Sequence, residues 1–187
     1  MKCIRIAGWM TVLVAASAFA QSGDADAPAA RRNWYNDPFV ALSQDFAECP
    51  LPLGPWMTRA EMEDDAHYRA ERGTSCWLAH RCTKPNSYMY DAPIAAAAKA
   101  RFDGSGRLQG TSLWITVQRR FIYVEGCADP AFDRQALQRE LAALPDVERV
   151  FVRITDDPHG ALPYKTRGQP DRTPDRTPDR TPDRTPD

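Results

Sequence analysis

Four cysteines, Cys49, Cys76, Cys82 and Cys127, are the side chains of this sequence best equipped for chemistry. Three chemistries are open to them: covalent bridging, metal ligation and nucleophilic attack. Cys76, His80 and Cys82 would supply three ligands to a metal, but no fourth ligand stands nearby and the paired-cysteine spacing of structural zinc sites is absent. Cys76 with His80 would make a thiol–base pair only as a free thiolate. An even set of cysteines in an exported chain points instead to two disulfides, with three pairings open. Cys76–Cys82 would close a short local loop and leave Cys49–Cys127 to tie distant segments. The acidic run Glu61, Glu63, Asp64 and Asp65 with His67 reads as the wet face of a helix. No C-x-x-C-H haem site, G-x-S-x-G elbow or H-E-x-x-H helix occurs. With no nucleophile–base–orienter set, the sequence reads as non-catalytic and without a cofactor.

The expectation of export comes from Met1–Ala20. Lys2 and Arg5 precede the apolar stretch Ile6–Ala16, and Ala18-Phe19-Ala20 has the small-x-small form of a cleavage site, so the mature chain is expected to begin at Gln21. The stretch is too short to cross a bilayer. Cys3 precedes it and so cannot be a lipid-bearing cysteine, and no later stretch is long enough to span. Basic and acidic residues number 24 and 25. No basic excess or stripe accompanies them, which excludes nucleic acid as a partner.

The rest divides by pattern. Residues 21–35 read as a flexible leader. Residues 36–90 form a Cys-containing helical and loop extension. Within it, Asp37-Pro38 opens a helix carrying Phe39, Leu42 and Phe46 on one face, and three prolines keep Cys49–Trp56 extended. Thr58 and Glu61 make a capping box, with Met57 and Met62 as its staple. That second helix is expected to stop at Gly73, and Thr74–Tyr90 to be loop. Asp91 then caps a helix through Phe102. Ser112–Gln118 alternates as a strand, Arg119-Arg120 turns, and Phe121–Glu125 alternates again before Gly126. Asp129-Pro130 starts a helix striped by Leu137, Leu141 and Leu144, and Val150, Val152 and Ile154 mark a last strand. Helices beside strands in this order predict an α+β sandwich with a small mixed sheet. Residues 157–187 read as a tail ending in four Arg-Thr-Pro-Asp repeats, whose lack of apolar residues predicts disorder.

Over Asp91–Thr155 the sequence resembles the BON domain, a module of bacterial envelope and osmotic-shock proteins. The resemblance lies in Asp91-Ala92-Pro93-Ile94, Trp114-Ile115-Thr116-Val117, Ile122-Tyr123-Val124-Glu125-Gly126, and Leu144-Pro145-Asp146-Val147-Glu148-Arg149-Val150. Two positions depart from it. Arg119-Arg120 replaces a glycine between the first two strands, implying a longer or differently shaped turn. Asp146 replaces another glycine, a mild change because Asp tolerates left-handed backbone. The resemblance implies an α-β-β-α-β fold over residues 91–156 and a periplasmic or secreted binding module that contacts phospholipid or another envelope protein. The extension before it lies outside the family and is read as tied on through Cys49–Cys127. Trp114, Arg119, Arg120, Phe121 and Tyr123, joined by Phe151, are the candidate binding surface. Basic and acidic side chains balance over residues 91–156, which disfavours strong attraction to an anionic membrane and makes protein–protein contact a serious variant. The competing function is a small secreted enzyme or metal-binding protein using Cys76, His80 and Cys82.

Overall fold

The alternation in Thr111–Gln118 and Phe121–Ala128 sends every second side chain to one face, and those side chains become the core. In the computed structural model, which describes residues 30–168, these segments are strands β2 and β3 of a four-stranded sheet. The sheet order is β1-β2-β3-β4, with β1 at Phe39–Gln44 and β4 at Arg149–Thr155. β1–β2 and β2–β3 are antiparallel, while β3–β4 is parallel. The parallel pair requires a crossover, supplied by helix α3 (Arg134–Ala142). Helix α2 (Asp91–Phe102) shares the same face of the sheet with α3. Between them lies an apolar core of Ile94, Ala98 and Phe102 from α2, Leu137 and Leu141 from α3, and Leu113, Ile115, Val117, Ile122, Val124, Val150 and Ile154 from the strands. The fold is α+β, and the element order over residues 91–155 is α-β-β-α-β as expected.

Gly126 lies inside β3 rather than after it. Its φ of 145° and a position where a Cβ would sit 2.0 Å from the Ser112 carbonyl oxygen both require glycine.

Several local expectations are corrected. Phe39–Gln44 is a strand, not a helix, because β2 offers an open edge that Phe39 to Gln44 fill, from Phe39↔Thr116 to Gln44↔Ser112. Helix α1 (Arg59–Leu78) begins at the expected capping box, with Thr58 accepting from Glu61 N and Glu61 accepting from Thr58 N, but it runs through Gly73 to Leu78. Gly73 is buried in mid-helix, where a Cβ would meet the Asn86 amide at 2.9 Å, so it serves close packing and not termination. The supposed loop Thr74–Tyr90 therefore holds the end of α1, and also a short 3-10 helix at Ser87–Tyr90. α3 starts at Arg134, where Asp133 accepts from Ala136 N, instead of at Asp129-Pro130. The Arg119-Arg120 turn is short, since Gln118 and Phe121 pair directly across it.

The boundaries of the two ends also move. Arg32 pairs with Met57, and Tyr35 donates its hydroxyl to Met62 O, so part of the supposed leader belongs to the fold. Pro52 pairs with Thr166, and Tyr164 is buried, so residues 161–167 are a packed strap and not tail. The export segment Met1–Ala20, most of the leader and the Arg-Thr-Pro-Asp repeats lie outside the described residues. No helix among the described residues is long and apolar enough to cross a membrane.

Candidate functional site

Both disulfides form, as Cys49–Cys127 and Cys76–Cys82. Cys76 and Cys82 are thus joined to each other, and no group of His, Cys, Asp or Glu among the described residues could hold a metal. The Cys49–Cys127 bridge is sealed by the strap. The Tyr164 hydroxyl lies 3.7 Å from Cys49 Sγ and 3.9 Å from Cys127 Sγ, and donates to Pro50 O at 3.0 Å. Burial, with the Glu125 charge added, pushes this phenol up to about 12. Two bridges fit a chain that matures outside the reducing cytosol.

The sheet face turned away from α2 and α3 carries the candidate surface. Strand parity puts Phe39 and Ala41, Trp114, Thr116 and Gln118, Phe121, Tyr123 and Glu125, and Arg149, Phe151 and Arg153 on this side. Its β1 end is covered. Trp56 meets Phe39 edge-on at 5.2 Å, and Arg167 lies 3.7 Å above Trp56. The β3–β4 half is different. Tyr123 and Phe151 stack at 5.1 Å, and Phe121 meets Phe151 edge-on at 5.9 Å. All three rings remain half-buried. Guanidinium groups frame them: Arg119 over Phe121 at 4.5 Å, Arg149 over Phe151 at 5.8 Å and Arg153 over Tyr123 at 5.3 Å. Arg153 also binds Glu125, whose carboxyl is raised by burial and lowered again by that arginine. Arg119 and Arg149 have no carboxylate partner among the described residues.

Of the five surface residues expected from sequence, Arg119, Phe121 and Tyr123 come together here. Trp114 shares the face but sits a strand away, opposite Glu125, and stands outside the ring cluster. Arg120 turns from the face altogether: its Nε donates to Asp146 O at 2.7 Å, and it lies 3.7 Å from Glu148. Arg149 and Arg153 were missed. The signal was present in the parity of Arg149-Val150-Phe151-Val152-Arg153, where both arginines alternate with the core valines and flank a ring.

No family model matches this chain, and neither a curated protein nor a solved structure does. The site must therefore be understood from its own geometry.

What positions the face is the turn at its end. Arg119 and Arg120 both have positive φ, 55° and 67°, a conformation that non-glycine residues adopt at a cost. Asp91 offsets it: its two carboxylate oxygens accept Arg119 N at 2.8 Å and Arg120 N at 2.7 Å. Asp91 is the first residue of α2 and makes no cap bond to that helix, so the expected cap is instead a clamp on the hairpin. Burial raises its carboxyl from 3.8 to about 6, against the lowering by those two backbone donors.

The folded chain therefore holds this proton more tightly than the unfolded chain does. Stability from that source is complete below about pH 4 and is lost as pH rises through about 6. Asp91→Asn should remove this contribution to the pH dependence. Thermal unfolding of the native chain from pH 4 to 7 should lose about 2–3 kcal/mol relative to the variant. Parallel profiles for the two would contradict the assignment.

Proposed function

We propose that this protein is an exported, non-catalytic binding module of the bacterial cell envelope, and that it grips an anionic partner protein with the β3–β4 face. The observation that carries this reading is the set of three half-open rings framed by arginines, two of which lack a carboxylate within the described fold. Aromatic and arginine side chains are enriched where protein interfaces concentrate their binding energy. Unpaired guanidinium groups beside them favour carboxylate-rich surfaces. The export segment expected from the sequence and the two bridges both support a location in the periplasm or outside the cell. Phospholipid is the weaker partner, because charge balances over residues 91–156 and each nearby basic residue adds only about 1 kcal/mol at an anionic membrane. An enzyme or metal protein using Cys76, His80 and Cys82 has lost its thiolates to the bridge.

A photoreactive residue in place of Tyr123, introduced in intact cells, should capture an envelope protein. A probe in place of Ala60, exposed on α1, should not. Arg119→Glu with Arg149→Glu should abolish the adduct, while flotation with phosphatidylglycerol vesicles leaves the protein unbound. Equal capture from both probe positions, or avid flotation, would sink the proposal.

A further inference from the structure

We propose that the free edge of β4 receives an extended acidic segment of the partner protein as a fifth strand of the sheet. This rests on the binding reading above and adds how the partner is held. Among the described residues β4 pairs with β3 alone, in unbroken register from Phe121↔Arg149 to Cys127↔Thr155. On its outer side the described residues provide one bond, Gln138 Nε2 donating to Val150 O at 3.1 Å. Among the described residues no backbone group of Phe151–Thr155 bonds outside the β3 ladder, and Thr155 meets Asp157 through its side chain. The opposite edge is blunted. β1 is entered from Pro38, and its register shifts between Ala41 and Ser43, both devices that discourage strand addition. β4 has neither a proline nor a bulge.

Charge selects the occupant. A strand laid along β4 would set alternate side chains beside Arg149, Phe151 and Arg153, within about 5 Å at Cβ. Acidic, apolar and acidic residues complement that row. The intervening positions would lie beside Val150, Val152 and Ile154 on the helix side and call for small apolar residues. In the register centred on Phe151, the same row disfavours a second copy of this chain. Antiparallel pairing of two β4 edges about Phe151 sets Arg149 against Arg153 at both ends, and like charges directly opposite are destabilising.

The test uses the mature protein and a short synthetic peptide carrying Glu-Val-Val-Val-Glu between threonines. Amide resonances of Val150–Ile154 should shift, and affinity should fall with salt. The peptide with Lys for Glu should bind about tenfold more weakly, and N-methylation of alternate peptide amides should abolish binding. Arg149→Glu with Arg153→Glu should reverse the charge preference. Arg149→Gln, which leaves the Arg153–Glu125 pair intact, should weaken it without reversal, guarding against a fold defect. Silent β4 amides, or equal binding of acidic and basic peptides, would overturn the proposal. So would a shift of these amides by phosphatidylglycerol vesicles alone. If the Tyr123 probe still captures a protein while the edge stays silent, the binding module survives and only strand addition falls.

Discussion

Replacing Cys49 and Cys127 together by alanine is expected to destabilise the fold by about 4 kcal/mol. The bridge spans a sequence separation of 78, so cutting it frees a long loop in the unfolded chain, and loop-closure entropy grows with the logarithm of that length. Cys76–Cys82, with a separation of 6, should be worth roughly half as much. The difference is sharpened by location. Cys127 is fully buried in β3 beside the Tyr164 hydroxyl, which donates to Pro50 O, and its bridge helps to fasten residues 49–57 onto the sheet. Urea unfolding of the two double-alanine variants should give a lower midpoint for the Cys49/Cys127 variant. Its melting temperature should fall on the order of 15 °C. Equal midpoints for the two variants would show that the long bridge adds nothing to the folded chain.

Arg69→Met should cost about 3–5 kcal/mol, more than any surface ion pair in the molecule. Asp37 is buried and receives both terminal nitrogens of Arg69, along with the Gln118 amide at 2.7 Å. The guanidinium lies between the rings of Tyr35 and Tyr88, at 4.0 and 3.7 Å. Removing the arginine leaves a buried carboxylate without its counter-charge, which is the costly half of a buried pair. Arg69→Lys keeps the charge but loses the planar fork and the two-sided stacking, so it should recover only part. Asp37→Asn combined with Arg69→Met should be more stable than the sum of the single losses predicts, by at least 1 kcal/mol in a double-mutant cycle. Strict additivity would refute the coupling. The pair matters beyond stability because it joins α1 to the start of β1 and, through Gln118, to the hairpin that ends the candidate face.

The segments that were legible in sequence are those with a local signature. Thr58 and Glu61 announce a helix start within four positions, and they cap each other as expected. The alternation of Leu113, Ile115 and Val117 identifies β2, because a period of two fits only a pleated strand. β1 failed for the opposite reason. Phe39, Leu42 and Phe46 satisfy a helical spacing, and nothing near them indicates that their partners are Ser112–Thr116, far along the chain. Gly73 has the look of a stop because its close neighbour, Asn86, is thirteen positions away and invisible to a local pattern. Asp91 shows the same blindness at the site. Its type and place fit a helix cap, but its carboxylate is claimed by a turn 28 residues on. Phe121 and Tyr123 were found because rings on a strand attract notice, whereas Arg149 and Arg153 became part of the face only once β4 was set beside β3.

The two bridges are nested, with Cys76–Cys82 lying inside the span of Cys49–Cys127. A chain that emerges from its N-terminal end presents Cys49 and then Cys76 before any native partner of either has appeared. Sequential oxidation in that order would trap Cys49 on Cys76. The correct product thus requires either that α1 seat Cys76 away from Cys49 until Cys82 arrives, or that a thiol exchange catalyst reopen the first bond made. In these nested bridges the order in which the sulfurs become available bears on their pairing as well as their final geometry.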